Sequence, residues 1–346
     1  MWRYIKYIAI LIVVPCLLFK AVQRWESRGQ GFRPYKIRSD LPYDPRWDIV
    51  CSDEDMASAK VALSQPYKYL GHGFQCYAFE SQDGKYVLKF FRHQRLRLPE
   101  FVLALPSFPY FEEWRKSRIL ALSRRLDYLL RSCKTSWDAA RRETALLMVH
   151  LNSTKDLFPV ATIKDPLEGV HHIALDRYQF LLQRKAVLIK PTIARLMKQG
   201  DVEGAKQCIC WIFDLLVDCV HNDVQDTDGA LIRKNNLGFL PAEGRAIYID
   251  GGKLKKHEWK SKEFAKDLKR LYLLQKWLKE EHPALVKHFE EVKEKSIKRV
   301  EGYLASKGKA KQNEELVLAK DTKILVAESV PQPEEQEVQE EKEPCS

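Results

Sequence analysis

Between Leu70 and Phe91 the chain consists of short, mainly apolar runs, and turn residues separate these runs from one another. Gly71 and Gly73 divide the first run from the second, and an Asp-Gly pair at 83–84 divides the second from the third. Such runs, interrupted by glycine turns, are typical of consecutive antiparallel strands. We therefore predict a hairpin followed by a third strand, which carries Lys89 between apolar neighbours.

The rest of the chain is dominated by helical spacing of apolar residues, with few further strands. The predicted helices are Ser52–Gln65, Phe111–Cys133, Trp137–Leu151, Pro191–Gln199, Val202–Val220, Lys262–Leu278 and Pro283–Leu304, and the predicted strands are Val160–Ile163, Tyr178–Gln183, Leu237–Leu240 and Ala246–Ile249. The expected fold class is α+β, with a small strand-rich part at 52–185, which includes a helical insertion, and a mostly helical part at 186–306. Residues 26–51 are expected to be a linker because they are rich in glycine, proline and arginine. Residues 307–346 are expected to be a disordered acidic tail because they lack aromatic residues.

The first 25 residues contain an uncharged apolar run, Tyr7–Phe19. Within Trp2–Val22 the charges lie only near the ends, which favours an uncleaved single-pass membrane anchor. A cleaved signal peptide and a buried helix are the alternatives. The basic residues that follow predict that the body faces the cytoplasm, with the membrane as a partner through this helix.

The formal net charge is +11, and it is unevenly distributed. Residues 314–346 hold three basic and ten acidic side chains, so residues 1–313 carry +18. A body this basic suits anionic partners such as phosphates, acidic glycolipids or membrane head groups. Specific nucleic-acid binding is not expected, because the lysines of 262–311 alternate with glutamates. The eight cysteines form no CxxC motif or zinc spacing, which favours reduced thiols and a reducing compartment.

Three features separated along the chain indicate phosphate chemistry. The turn at Gly71-His-Gly73-Phe74 can bring backbone amides close to phosphates, and Lys89 on the third strand can pair with them. Asp250 ends a hydrophobic strand and is followed by two glycines, a position in which a carboxylate can hold Mg²⁺. Their order indicates a nucleotide-dependent phosphotransferase.

From about Tyr69 to Leu278 these motifs resemble the protein-kinase-like superfamily, and within it the bacterial lipopolysaccharide and small-molecule kinases. The resemblance implies a two-lobed fold with a small β-rich N-lobe and a mostly helical C-lobe behind the membrane helix. It implies ATP and Mg²⁺ as cofactors, and a Tyr178–Gln183 strand that leads into an adenine-binding hinge. Gly71, Gly73 and Phe74 would cover the phosphates. Lys89 would pair with Glu143, or alternatively with Glu112 or Glu113.

The segment from His221 to Asp228 resembles the catalytic loop of that superfamily. By this resemblance, Asp228 or Asp223 is the base toward the acceptor hydroxyl, and Asn236 and Asp250 bind the metal. The chain departs from the pattern at three points: Cys76 replaces the third glycine, Gly251 replaces the phenylalanine after the metal-binding aspartate, and Asn236 comes thirteen positions after Asp223. No long activation loop precedes the helix at 262–271.

Two functions follow from the resemblance. The first is an ATP- and Mg²⁺-dependent phosphotransferase that acts on a hydroxyl of a glycolipid, a small molecule or a protein. The alternative is a catalytically inactive, membrane-tethered pseudokinase that serves as a binding or scaffold module.

Overall fold

The fold is known from a computed structural model, which describes residues 31–106, 109–228, 231, 236–260 and 262–328, with side chains as far as residue 310 apart from residue 101. The predicted membrane segment at 1–25 and the end of the predicted tail, 329–346, lie outside the described residues. Within the described ranges, no helix is both long enough and apolar enough to cross a lipid bilayer.

A seven-stranded sheet forms the first part of the fold. Its strands are β1 (Tyr67–His72), β2 (Cys76–Ser81), β3 (Tyr86–Phe91), β4 (Leu146–His150), β5 (Val160–Lys164), β6 (Val170–Ala174) and β7 (Phe180–Arg184). They are arranged in the order β4-β7-β3-β2-β1-β5-β6, and the pairs are antiparallel except for the parallel pair β1–β5. The predicted hairpin and the third strand with Lys89 are therefore confirmed.

One face of this sheet packs against a short helix, α1 (Asp53–Leu63), which begins at Ser52 because the Ser52 hydroxyl accepts a hydrogen bond from the Asp55 amide. Phe32 and Ile37 are fully buried in the same core, next to Phe79 of β2. The prediction of a linker at 26–51 is therefore wrong for its described residues: two large apolar side chains anchor it to the sheet, which glycine and proline content does not reveal.

Two further helices, α2 (Glu100–Leu103) and α3 (Pro109–Thr144), lie in sequence between β3 and β4 of the first part. The second part contains the helices α4 (Ile189–Lys198), α5 (Val202–His221), α6 (Glu263–Asp267), α7 (Tyr272–Glu281) and α8 (Val286–Glu328). The remaining strands are β8 (Val187–Leu188), β9 (Val224–Asp226), β10 (Leu237–Leu240), β11 (Arg245–Tyr248) and β12 (Leu254–Lys256). Helix α5 is the centre of this part, with ten buried side chains along its length. The predicted second hairpin is confirmed as β10–β11.

The predicted helix Trp137–Leu151 is wrong in its second half. Helix α3 ends at Thr144, Ala145 has a left-handed φ of 49°, and the next residues form β4, paired with β7. The apolar residues from Leu146 onward fit one face of a helix, but they equally fit a short strand buried on both sides. Partner strands decide between these structures, and they lie far away in sequence.

The predicted start of disorder at residue 307 is also too early, because α8 continues to Glu328. The residues beyond 307 include many Ala, Lys, Glu and Leu, which have high intrinsic helix propensity. The coarse prediction holds: the fold is mixed α and β, with a strand-rich first part and a mostly helical second part.

Candidate functional site

The chain passes from the seven-stranded sheet to the helical part through residues 185–188, directly after β7. Here Val187 and Leu188 form β8, which pairs with β10 of the hairpin. This crossing segment and the sheet enclose an apolar cavity of about 570 Å³, called the hinge cavity below. Leu70, Ala78 and Val87 line it from the sheet, and Ala186, Val187 and Leu188 line it from the crossing segment. A cavity with these walls can accept a flat, largely apolar group.

Lys89 lines the hinge cavity together with Gln183. Its ammonium group donates to Gln183 Oε1 at 2.7 Å and to the main-chain carbonyl of Ile249. Burial lowers the pKa of Lys89, and the negative charge of Asp250 opposes this shift. Gln183 is itself buried and donates its amide to the carbonyls of Thr144 and Tyr248, so its orientation is fixed by both parts of the fold. Lys89 is therefore held in place before any ligand binds.

The structure does not form the expected ion pair between Lys89 and Glu143, although both residues are described. Glu143 is 4% exposed and faces a different cavity, of about 310 Å³, where burial raises the pKa of its carboxyl group. In a straight helix Glu143 would share a face with Ser132 and Ser136. The backbone of Ala140 leaves the helical conformation, with φ −138°, so Glu143 does not continue the face that carries Ser132 and Ser136.

The two alternative partners of Lys89 lie near the start of α3. Glu112 pairs with Arg115 one turn further along the helix, and Glu113 is exposed. The face of α3 nearest the Asp250-Gly-Gly turn carries hydroxyl groups instead of a carboxylate. Ser132 and Ser136 both donate to the carbonyl of Gly251, at 2.9 and 3.0 Å. Helix α3 therefore positions the turn after Asp250.

A second cavity, of about 720 Å³, is bordered by Asp250, the residue that follows Ile249 of the hinge cavity, and is called the charged cavity below. The turn between β1 and β2 contributes Gly73 and Phe74 to its wall, whereas Gly71 lies within β1. The side chain of Gln75 in this turn comes within 3.5 Å of the Gly252 carbonyl. A methyl group built on Gly71 or Gly73 would meet no atom within 4 Å. The space above both glycines is therefore open to a ligand.

The opposite wall of the charged cavity carries Asp228, Asn236, Asp250 and Lys253. Asp228 is 7% exposed, accepts a hydrogen bond from Asn236 Nδ2 at 2.9 Å and forms an ion pair with Lys253 at 3.1 Å. The carbonyl of Asn236 accepts from the amide of Ile249 at 2.7 Å, which places Asn236 beside the residue that precedes Asp250. Three of the predicted site residues, taken from two distant segments, are thus brought together.

Asp223, the other candidate base, lies elsewhere. Its carboxylate forms an ion pair with Lys307 of α8 at 2.6 Å, and its backbone has a left-handed φ of 51°. Asp223 ends the turn after α5, whereas Asp228 follows β9 and reaches the charged cavity. Only Asp228 of the two shares a cavity with Asn236 and Asp250.

A buried cluster of charges supports Asp228 from behind. Arg270 forms ion pairs with Asp226 at 2.6 Å and with Asp267 at 3.0 Å, and its Nε donates to the main-chain carbonyl of Asp228 at 2.8 Å. Burial raises the pKa of Asp226 to about 6, and the charge of Arg270 limits the rise. Asp226 also accepts a hydrogen bond from the Asp228 amide at 2.9 Å. The cluster therefore determines where the Asp228 main chain lies.

The oxygen donors of the charged cavity fit a hard cation. Carboxylate and amide oxygens are the ligands that Mg²⁺ uses, and Mg²⁺ sites in phosphotransferases take one or two carboxylates, with substrate phosphates and water completing the shell. Asp228, Asp250 and Asn236 meet this requirement in type and number. Among the described residues there is no group of three or more His, Cys, Asp and Glu side chains suited to hold a metal without a substrate. A metal here would depend on phosphate ligands.

Four site residues were not predicted from the sequence: Gln183, Lys253, Asp226 and Arg270. Gln183 looks like any polar residue at the end of a strand, and only the fold shows that it holds Lys89. Arg270 belongs to the predicted helix Lys262–Leu278, but its ion pair with Asp226 is visible only in the fold. Lys253 follows the Asp250-Gly-Gly turn, and its proximity to Asp228 depends on the β9–β12 pairing.

Comparison of the chain with protein-family models gives no match, and comparison with curated protein sequences gives none either. The described side chains and their geometry are therefore the basis for assigning a function.

Proposed function

We propose that this protein is an ATP- and Mg²⁺-dependent phosphotransferase of the protein-kinase-like superfamily, which transfers a phosphoryl group to a hydroxyl of a glycolipid, a small molecule or a protein. ATP and Mg²⁺ are its cofactors. An N-terminal membrane anchor with the body in the cytoplasm is part of the same proposal.

Lys89 carries the proposal, because it lines the hinge cavity and its ammonium group reaches the segment that borders the charged cavity. The hinge cavity is apolar and suited to a base, and the charged cavity contains Asp228, Asn236 and Asp250. Lys89 also contacts the carbonyl of the residue directly before Asp250. A nucleotide laid across this junction would have its base among apolar side chains and its phosphates beside a lysine, a glycine turn and carboxylates.

The protein's own groups would divide the chemistry as follows. Asp250 and Asn236 would hold the Mg²⁺, whose charge offsets that of the phosphates. Lys89 and the amides of the Gly73 turn would stabilise negative charge that develops on the transferred group. Asp228 would orient the acceptor hydroxyl and accept its proton, for which it must exchange its present contact with Lys253.

One observation favours the alternative, a pseudokinase that acts as a binding or scaffold module. Among the described residues, Lys89 has a neutral amide and a carbonyl as its partners where the superfamily pattern implies a carboxylate. This leaves the lysine less firmly charged, since burial lowers its pKa. Nucleotide binding with no turnover would fit that alternative.

A thermal-shift titration of the purified full-length protein with ATP, in the presence and absence of Mg²⁺, tests the proposal. A ligand that binds the folded state at a hundred times its Kd stabilises it by about 2.7 kcal/mol, so Tm should rise with ATP concentration. The Asp250→Asn variant should lose the Mg²⁺-dependent part of the rise in Tm, and the Lys89→Met variant should lose most of the whole rise. Lys85→Met is the matched control, because Lys85 is exposed and lies directly before the same strand.

Turnover separates the two candidate functions. An active enzyme should release phosphate or ADP slowly in the absence of an acceptor, and Asp228→Asn should abolish this while ATP still raises Tm. A full ATP shift without turnover in the unmodified protein would indicate the pseudokinase. No shift in a folded protein, or equal shifts in Lys89→Met and Lys85→Met, would exclude the phosphotransferase.

A further inference from the structure

Phe74, at the tip of the glycine turn, is contacted by two arginines from separate segments. The guanidinium carbon of Arg95, which ends a short 3-10 helix after β3, lies 4.8 Å from the centre of the ring. That of Arg125, on α3, lies 4.4 Å from it. The ring is 53% exposed, and both arginines are exposed. Phe74 therefore holds two cations at the mouth of the charged cavity through cation–π contacts.

A third arginine fixes the base of this group. Arg92 is 6% exposed, donates to the carbonyl of Gly73 at 2.8 Å and lies over the ring of Tyr77 at 4.7 Å. Its Nε is buried with no hydrogen-bond partner in the described part of the chain. Arg92, Arg95 and Arg125 all line the charged cavity, and they are called the arginine cluster below.

Among the residues that the structure describes, the arginine cluster has no anionic partner, unlike several other arginines. Arg46, Arg141 and Arg270 each form an ion pair with an aspartate. Within the described ranges, the three arginines of the cluster form none. Burial and the charges of Arg92 and Arg125 lower the pKa of Arg95, which shows that the cations repel one another. An anion placed among them would relieve this repulsion.

The positive charge that lines the charged cavity can bind a second anion in addition to the phosphates of a nucleotide. Its charged walls hold the arginine cluster and Lys253 against two carboxylates, Asp228 and Asp250, a net excess of two positive charges before Lys89 is counted. The phosphates of a nucleotide would be served by Lys89, the Gly73 turn and a metal ion on Asp250. The three arginines line the charged cavity and not the hinge cavity, so they remain available to the acceptor.

We infer that the acceptor of this phosphotransferase carries an anionic group of its own, a phosphate or a carboxylate, and that the arginine cluster binds that group while Asp228 faces the acceptor hydroxyl. Arginine suits this role because its planar fork of donors matches both groups. The inference rests on the proposed function for the identity of the acceptor. The anion site itself rests only on the geometry.

Binding of glucose 6-phosphate to the full-length protein tests the inference, with glucose as the neutral probe and glucuronate as the carboxylate probe. Calorimetric titrations are made with and without a saturating non-hydrolysable ATP analogue and Mg²⁺. Glucose 6-phosphate should bind in both conditions, glucose should not, and the response to glucuronate shows whether a carboxylate suffices. Each of Arg95→Ala and Arg125→Ala should weaken binding about tenfold, the effect of one charged hydrogen bond. Arg124→Ala is the control, an exposed neighbour on α3 outside the cavity wall.

The outcomes separate this inference from the proposed function. Binding that depends on Arg95 and Arg125 in a protein that binds no nucleotide would support the anion site and exclude the phosphotransferase. Displacement of glucose 6-phosphate by the ATP analogue would overturn the inference, because the arginines would then serve the nucleotide. No binding of either charged probe at millimolar concentration, or equal losses in Arg124→Ala, would also overturn it.

Discussion

Replacement of Arg270 by alanine is expected to be the most damaging single change near the candidate site. Arg270 is 13% exposed at its side chain, and its partners Asp226 and Asp267 are 2% and 12% exposed. Removing one partner of a buried ion pair costs about 3–5 kcal/mol, because the other charge stays buried without compensation. Arg270→Ala leaves two such carboxylates, so we expect a loss near the upper end of that range at neutral pH.

The loss should depend on pH, and its sign follows from Asp226. Burial raises the pKa of Asp226 from 3.8 to about 6 in the folded state, so the protonated carboxyl favours folding. Its contribution to the free energy of unfolding therefore decreases as the pH rises between about 4 and about 6. Removal of Arg270 raises this pKa further, since Arg270 is the main charge that lowers it. The destabilisation of Arg270→Ala should thus be full above the raised pKa and shrink as the pH falls below it.

Urea unfolding at a series of pH values between 5 and 8 measures this effect, with tryptophan fluorescence as the signal. Trp259 is buried and donates to the carbonyl of Val224, two residues before Asp226, so its emission reports on this region. A double-mutant cycle with Asp226→Asn and Arg270→Met isolates the pair. A loss below about 1 kcal/mol, or one that does not shrink toward acid pH, would show that the cluster is not a coupled buried network.

Two further changes test the local structure. Gly238→Ala should destabilise the protein by about 1–3 kcal/mol, since the added methyl group would lie 2.7 Å from the Ala186 side chain. Gly71→Ala is the control and should change the unfolding midpoint little, because no atom lies within 4 Å of its added methyl group. Similar midpoints for the two variants would contradict the close packing at Gly238. Ser136→Ala removes a hydrogen bond to the carbonyl of Gly251 and should lower the free energy of unfolding by about 1 kcal/mol in the same assay. It should also weaken Mg²⁺–ATP binding if the turn after Asp250 holds the metal. An unchanged free energy of unfolding would mean that water replaces the hydroxyl group.

The elements that could be predicted from the sequence are those whose pattern is local. Strands β1 to β3 are separated by glycine turns, and β1 and β2 alternate in burial. The β10–β11 hairpin has a turn that ends in Gly244, with a left-handed φ of 62°. Such signals need no knowledge of the partner. Strand β4 could not be predicted in the same way, because Leu146–His150 becomes a strand only by pairing with β7, which lies 30 residues later.

In the candidate site, too, the residues with a local sequence pattern could be predicted and those placed by distant contacts could not. Lys89, Asp250 and the glycine turn were recognisable because each lies at a strand or a turn whose position the local pattern predicts. The sequence could not show which aspartate of the loop enters the charged cavity, since Asp223 and Asp228 differ only in their surroundings. Asp223 contacts Lys307 of α8, whereas Asp228 contacts Asn236 and Lys253. Those contacts come from segments whose placement depends on the whole fold.

The failure of the Lys89–Glu143 pairing is the most instructive of these results, because it changes the chemistry expected of the lysine. A carboxylate partner would keep Lys89 charged in the buried state, whereas Gln183 and a main-chain carbonyl can only accept hydrogen bonds from it. Asp250 is then the nearest source of compensating charge, and it opposes the lowering of the Lys89 pKa. Binding of phosphate would add the missing negative charge, so Lys89 should be more fully protonated with a nucleotide present than without one. In this arrangement Asp250 would serve both the metal and the lysine, which makes Asp250→Asn the variant whose effect on nucleotide binding should exceed that of any other single carboxylate in the cavity.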